Sequence, residues 1–338
     1  MATGQNDGKR TVAIIGAGSF GTAVSHMLYA KGIDVRMWCF QKQEADGINR
    51  THHHPSFFTD YELPNVTACT DIPSTVAGCE SVIIVTPSFG VKTAAKQLAT
   101  CLPETTPVLV LSKGLDSESG HTLYRVVADA LGNADRVAVL AGPNHAEELI
   151  EGSYAGAVVA STGAETAQYF QKLLSSTTFR LYTTSDPVGA SLCAASKNVI
   201  AIACGMARGM GQGDNTVALL MTRGAAEIAR LVEADGGKVE TVFGLAGIGD
   251  LNATCCSPHS RNGMYGQAFV ERGISVPDYE AERHMVVEGA HAVHPLLALG
   301  RSKGVELPIM EAVRKLLDGE LAIDDAPGCL MNRALKDE

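Results

Sequence analysis

Thr11-Val12-Ala13-Ile14-Ile15-Gly16-Ala17-Gly18-Ser19-Phe20-Gly21-Thr22-Ala23-Val24 is the stretch whose reading decides the fold. It opens with an apolar, β-branched run, the pattern of a strand buried on both faces. G-x-G-x-x-G follows at Gly16, Gly18 and Gly21, and then a helical spacing through Val24, Met27 and Leu28. In a dinucleotide-binding turn each glycine has a task. Gly16 allows the tight turn, Gly18 lets the backbone approach a pyrophosphate, and Gly21 lets helix and strand pack closely. The helix that begins near Ser19 offers free N–H groups and its positive dipole end to phosphates, with Phe20 in its first turn. Among 35 glycines in 338 residues the motif alone is a weak signal. The strand-turn-helix frame makes it a strong one and points to a nucleotide cofactor.

A chain of 338 residues is long for one hydrophobic core, so two domains are expected. Hydrophobic residues at 46% and charged residues at 19% describe an ordinary globular protein. The formal net charge is −10 and no lysine or arginine run forms a basic stripe. That argues against nucleic acid or an anionic membrane surface as the main partner, and leaves room for a local basic site for a small anion. The 9 cysteines are scattered and contain no C-x-x-C pair, which reads as reduced, mostly buried thiols in a cytoplasmic protein. No apolar run approaches the ~20 residues of a membrane-spanning helix. Residues 1–10 are polar and without a hydrophobic signal core, and are expected to be a disordered lead-in.

Beyond the first helix, Asp34-Val35-Arg36-Met37-Trp38-Cys39-Phe40 reads as the second strand of a βαβ unit. An acid at the end of this strand binds the ribose 2′-OH in NAD sites. Phe40, Gln41 and Lys42 stand there instead, so NADP is permitted beside NAD. Residues 49–64 read as an irregular insertion containing His52-His53-His54. Consecutive histidines share no helix or strand face, so no metal site is expected. Strands are expected near Val66-Ala68, over 81–87, over 107–114 with Lys113 at its carboxyl end, and over 137–141, with a helix at 90–101. Ligands of open α/β sheets bind outside the carboxyl ends of strands. Phe89, Lys113 and residues 142–146, including Gly142, Asn144 and Ala146, are therefore expected to line one crevice with Gly16 to Phe20. Strands at 155–160 and 179–183 around a helix at 164–174 complete a sheet of about eight strands. The first domain spans residues 11–185.

From Asp186 the strand pattern stops. Asp186-Pro187 reads as a helix cap with proline in the first turn, followed by a long helix through Val188, Leu192, Ala195, Val199 and Ile202. Lys197 sits within it in the run Ala194-Ala195-Ser196-Lys197-Asn198-Val199-Ile200-Ala201. A lysine among such neighbours is costly unless paired or functional, the structural alternative being a stem that snorkels to the surface. A helix is expected over 214–234. A glycine-rich stretch, 244–251, then approaches Thr254, Cys255 and Cys256. Ser260-Arg261-Asn262 begins a helix through Phe269, and an Arg and Asn at a helix N-terminus make a ready anion site. The remainder is mostly helical, with Pro308 restarting a helix toward Leu317. The fold class is α/β, an N-terminal Rossmann-type doubly wound sheet followed by an all-α C-terminal domain over 186–338.

Taken together, several segments resemble the soluble bacterial type of NAD(P)-dependent glycerol-3-phosphate dehydrogenase. They are Ile15-Gly16-Ala17-Gly18-Ser19-Phe20-Gly21-Thr22-Ala23, Ser112-Lys113-Gly114-Leu115, Gly142-Pro143-Asn144-His145-Ala146-Glu147-Glu148, Lys197-Asn198-Val199-Ile200-Ala201, Gly247-Ile248-Gly249-Asp250-Leu251, Ser260-Arg261-Asn262 and Val287-Glu288-Gly289. They occur in the family's order and cover residues 11 to 335. Two places depart from the family pattern: Phe40-Gln41 replaces a more polar or charged pair, and Asn144 stands where Ser or Thr is frequent.

The resemblance implies interconversion of dihydroxyacetone phosphate and sn-glycerol 3-phosphate by hydride transfer with NADP or NAD, supplying glycerol 3-phosphate for phospholipid synthesis. It implies Lys197 as general acid for reduction and base for oxidation. Free lysine titrates near ~10.4, and burial beside a second cation, Lys113, lowers that toward a useful range. Asp250 orients Lys197 and limits the fall. Arg261 and Asn262 hold the phosphate, and Gly142, Asn144, Thr254 and Ser260 complete the substrate site. The cofactor set is Gly16, Gly18, Ser19, Phe20, Gly21, Phe40, Phe89, Lys113, Ala146, Arg261, Val286 and Glu288. The implied partner is a small phosphorylated substrate, the assembly a homodimer, and no membrane-integral segment is expected. Two other readings fit the same pattern: a two-domain dehydrogenase of hydroxy acids or sugar acids, and a non-enzymatic redox sensor that binds a dinucleotide.

Overall fold

Short β-branched runs become strands β1 (Thr11–Ile15), β2 (Asp34–Trp38), β3 (Val66–Cys69), β4 (Ser81–Ile84), β5 (Val108–Val110), β6 (Val137–Ala141), β7 (Ala155–Ala160) and β8 (Phe179–Thr184). The structure is a computed structural model and describes residues 10–258, 260–332, 334 and 335. The helices are α1 (Ser19–Tyr29), α2 (Lys42–Thr51), α3 (Ile72–Val76), α4 (Ser88–Cys101), α5 (Leu123–Leu131), α6 (Ala146–Ile150), α7 (Ala164–Leu174), α8 (Pro187–Gly209) and α9 (Asp214–Ala234). They continue with α10 (Val239–Val242), α11 (Asp250–Cys256), α12 (Arg261–Arg272), α13 (Val276–Arg283), α14 (Glu288–Ser302), α15 (Pro308–Leu317) and α16 (Ala326–Met331).

The chain divides into two units. The first takes residues through Ser112, Val126–Leu140 and Asn144–Ser185; the second takes Lys113–Arg125, Ala141–Pro143 and the chain from Asp186. Lys113 and Gly142 thus group with the helical unit, although each follows a strand of the sheet.

In the first unit the strand order is β3-β2-β1-β4-β5-β6-β7-β8. β1 pairs in parallel with β2 (Ile14 opposite Met37) and with β4 (Ile14 opposite Ile83). The order reverses between β1 and β4, which is where open α/β sheets bind ligands. Val12, Ile14, Ile83 and Leu109 pack on Val24 and Leu28 of α1 and Phe170 of α7. Burial of this apolar surface, at about 25 cal/mol per Å², holds the layers together.

The second unit is built around α8. Asp186 caps it by accepting from the Gly189 N–H at 2.8 Å, with Pro187 at the first helical position. α8 packs against α9, α11, α12 and α14. Its length and mean hydropathy of 1.4 are those of a membrane span, contrary to the expectation that no apolar run is long enough; 89% of that stretch is buried within the protein. The run is a core helix whose apolar residues all find protein partners. Its approach to α12 depends on glycine: a Cβ on Gly266 would stand 2.2 Å from the Ile202 carbonyl oxygen, and one on Gly205 would stand 2.0 Å from that of Gly263. Gly266→Ala is therefore expected to destabilise the protein by the upper end of ~1–3 kcal/mol, as overpacking does. Urea unfolding checks this, and an unchanged midpoint would show that the two helices separate freely.

Two expectations need correction, and one stretch gains a defined conformation. Residues 1–9 of the supposed lead-in lie outside the described residues, but Arg10 is ordered: it pairs with Glu80 at 2.9 Å and lies over the Tyr169 ring at 5.7 Å. Residues 49–51 are the last turn of α2, not part of an irregular insertion. The histidines after them take separate structural places: His52 caps α2 in the left-handed region, His53 bridges to Glu62, and buried His54 meets Glu44 at 3.1 Å. Finally, the glycine-rich stretch is a π-helical turn (Leu245–Gly249) running into α11. A Cβ on Gly247 would stand 2.0 Å from the Val242 carbonyl oxygen, so the glycine serves close packing.

Candidate active site

At the carboxyl end of β1 the three glycines separate by role. Gly16 has φ +125°, and a Cβ there would stand 2.9 Å from the backbone N of Thr86. A Cβ on Gly21 would stand 2.3 Å from the Gly16 carbonyl oxygen. Both glycines are needed by the fold itself. Gly18 differs: nothing lies within 4 Å of where its Cβ would be. The protein leaves that space open, next to an α1 N-terminus with no side-chain cap and no acid in its first turn. Backbone N–H groups and a positive dipole end beside an unfilled cradle fit a dinucleotide pyrophosphate. Ser19 and Phe20 form the first turn of α1, and Ala146 opens α6, which packs on α1. Phe40, just after β2, and Phe89, in the first turn of α4, are 83% and 77% exposed. Two large aromatic rings left in solvent on the first unit suit flat ring ligands. Lys42 begins α2 and is exposed.

Asn144 is buried, and neither its amide oxygen nor its amide nitrogen has a partner within the protein. An unpaired buried amide is costly, so this side chain is set for a polar group that the protein does not itself provide.

The second unit gathers Lys113, Lys197, Asp250 and Thr254. Lys197 is buried in mid-α8, and its Nζ donates to Asp250 Oδ1 and, at 2.6 Å, to Thr254 Oγ1. Thr254 Oγ1 donates in turn to the Asp250 carbonyl at 2.7 Å. Asp250 and Thr254 lie four residues apart on α11, so one helix face presents both to the ammonium. Lys113 Nζ lies 3.6 Å from Asp250 Oδ2, an oxygen that accepts no hydrogen bond. Burial lowers the Lys197 pKa to about 8; Asp250 pulls it back up and Lys113 pushes it down. A buried ammonium that releases its proton near neutral pH, held by a carboxylate and a hydroxyl, is equipped for general acid–base chemistry.

Arg261 is exposed at the first position of α12, and among the described residues no acid pairs with it. Ser260 is the N-cap, its Oγ accepting from the Gly263 N–H at 3.2 Å. Asn262 is more committed than the sequence suggests: its Nδ2 donates to Asn198 Oδ1 at 3.0 Å and its Oδ1 accepts from the Gly289 N–H at 2.9 Å. It ties α12 to α8 and to the start of α14, leaving one N–H of the amide for a ligand. Glu288 opens α14 and Val286 lies half-buried just before it. The sequence marks Asn198 only as the neighbour of Lys197 within the same buried helix; its bond to Asn262 is a tertiary contact.

The description "NAD-dependent glycerol-3-phosphate dehydrogenase N-terminus" matches residues 11–167, and its C-terminal counterpart matches residues 186–327. The chain is 40% identical over 326 residues to the glycerol-3-phosphate dehydrogenase [NAD(P)+] of Moorella thermoacetica, covering 96% of each chain. It is 38% identical over 330 residues to an enzyme of that name, numbered 2, from Mycobacterium tuberculosis, covering 97% of this chain and 98% of the other. The crystal structure of glycerol-3-phosphate dehydrogenase from Coxiella burnetii superposes with a TM-score of 0.91 at 32% identity, over 96% of this chain and 99% of that one. The chain belongs to the NAD-dependent glycerol-3-phosphate dehydrogenase family.

Proposed function

We propose that this protein interconverts dihydroxyacetone phosphate and sn-glycerol 3-phosphate with NADP or NAD, providing glycerol 3-phosphate for phospholipid synthesis. The observation that carries the reading is the buried Lys197, held by Asp250 and Thr254 with its pKa lowered to about 8, in a chain of this family. At the strand ends of the first unit, Gly16, Gly18, Ser19 and Phe20 would hold the nucleotide's pyrophosphate, and Phe40 and Phe89 its rings. When bound, the nucleotide supplies or accepts the hydride at the substrate's central carbon. Lys197 gives its proton to the carbonyl oxygen as negative charge develops there, and takes it back in the oxidative direction. Lys113 adds positive field at that oxygen, and Asp250 keeps the ammonium aimed. Arg261 takes the phosphate. On this reading the protein works as a homodimer in the cytoplasm, and the nine free cysteines accord with a reducing compartment.

The test is initial rates on purified protein with NADPH and NADH against dihydroxyacetone phosphate, unphosphorylated dihydroxyacetone and α-keto acids. Dihydroxyacetone phosphate is expected to be the substrate turned over. Preference for a keto acid would support a hydroxy-acid dehydrogenase, and nucleotide binding without turnover a sensor. NADPH is expected to work at least as well as NADH, because no carboxylate at Phe40-Gln41-Lys42 repels a 2′-phosphate. A strong preference for NADH would mean that other groups make the choice.

A further inference from the structure

Lys197, Cys204 and Arg208 stand at i, i+7 and i+11 on α8, a spacing that runs along one helix face. All three meet α11. Lys197 holds Asp250 and Thr254. The Cys204 and Cys255 thiols shift each other's titration, that of Cys204 down and that of Cys255 up. Arg208 Nη2 donates to the Cys255 carbonyl oxygen at 2.7 Å. α11 has seven residues and continues directly from the π-helical turn Leu245–Gly249. Isolated helices shorter than ~12–15 residues are marginal in water, so α11 depends on its neighbours for its position. Its last carbonyls have no intrahelical donor, and a guanidinium there makes a charge-assisted bond while complementing the negative dipole end. Near the same end the exposed Cys256 thiol meets Asn252 Oδ1 at 3.1 Å and Met221 Sδ at 4.0 Å, both uncharged. Among the described residues, Arg208 is the charged side chain that bonds this end.

We propose that Arg208 is a positioning residue for the proton-transfer site: by fixing the C-terminal end of α11 to α8, it sets where Asp250 and Thr254 stand against the Lys197 ammonium. The proposal rests on the reading of Lys197 as the proton donor. α11 is short enough to move as one piece, so a slip at Cys255 is felt at Thr254 and Asp250. Small misplacements of an acid–base group are costly in rate.

The experiment uses the full chain with Arg208→Met and Arg208→Lys, and Lys197→Ala as reference. It measures kcat, both KM values, the pH profile of kcat, the NADPH Kd by fluorescence titration, and amide exchange over residues 254–257. Arg208→Met is expected to lower kcat about tenfold, the loss of one hydrogen bond to a charged group. The pH midpoint moves, the amides exchange faster, and the NADPH Kd stays within about twofold. Arg208→Lys restores most of kcat, because a cation returns to the helix end. Should the methionine variant not fold, Arg208→Gln, which keeps a donor without the charge, takes its place. Three results overturn the proposal: kcat and pH midpoint unchanged, a lysine variant as impaired as the uncharged one, or a kcat loss that only follows the folded fraction while the midpoint stays. If Lys197→Ala itself remains active, the reading of Lys197 falls and this proposal with it. If Lys197→Ala is inactive while Arg208→Met is not, only the positioning role is lost.

Discussion

Replacing Lys197 by alanine is expected to lower kcat for the reduction by about 10²–10⁴-fold, the usual contribution of a general acid. NADPH binding is expected to survive, because the pyrophosphate cradle at Gly18 belongs to the first unit while Lys197 lies in the second. In the unaltered enzyme the pH dependence follows from a lysine pKa lowered to about 8. Reduction needs the ammonium, so its rate is highest below that value and falls as pH rises through it. Oxidation needs the free amine, so its rate rises through the same range. Asp250 raises the Lys197 pKa, so Asp250→Asn is expected to move both midpoints to lower pH. Steady-state rates from pH 6 to 10, an interval of about two units on either side of the midpoint, check this. A Lys197→Ala enzyme with kcat near that of the unaltered protein would falsify the assignment.

Arg261→Ala is expected to cost on the order of 10²-fold or more in kcat/KM for dihydroxyacetone phosphate. A guanidinium grips a phosphate with two parallel charge-assisted bonds, and each hydrogen bond to a charged group is worth roughly 1.5–3 kcal/mol. The side chain is exposed, and its place at the first position of α12 adds the helix dipole to the same field. The decisive comparison is a cycle of unaltered and Arg261→Ala enzyme, each with dihydroxyacetone phosphate and with unphosphorylated dihydroxyacetone. If Arg261 holds the phosphate, the loss falls mainly on the phosphorylated substrate. Equal losses on both would assign Arg261 to the cofactor or to the fold, and the phosphate to another group. Arg261→Lys separates the two contributions further, since a lysine keeps the charge and loses the fork.

Much of this was legible in the sequence because the signals were local. A buried parallel strand writes itself as a continuous apolar run, as at Val82-Ile83-Ile84 and Val137-Ala138-Val139-Leu140. A cap writes itself as Asp186-Pro187 or Ser260, and the helices that follow both begin where those residues predict. The glycine fingerprint likewise gave a turn whose backbone demands at Gly16 and Gly21 are visible in the distances.

What the sequence determined by itself was therefore the identity and order of the elements, the cofactor turn, and the family, each of which depends on residues close together in the chain. Only the tertiary structure decided which distant residues meet. In the letters, residues 244–251 are only a glycine-rich approach to Thr254; in the protein Leu245–Gly249 is a π-helical turn, and a Cβ on Gly247 would stand 2.0 Å from the Val242 carbonyl oxygen. Helical geometry then brings Asp250 and Thr254 to one face, and packing sets them against a lysine 53 residues earlier in the chain. The same packing committed Asn262 to Asn198 and Gly289, and grouped Lys113 with the helical unit although its strand belongs to the sheet. A lowered lysine pKa is likewise a tertiary property. It comes from removing water and from placing one carboxylate and one further cation, and the chain settles those only when it has folded.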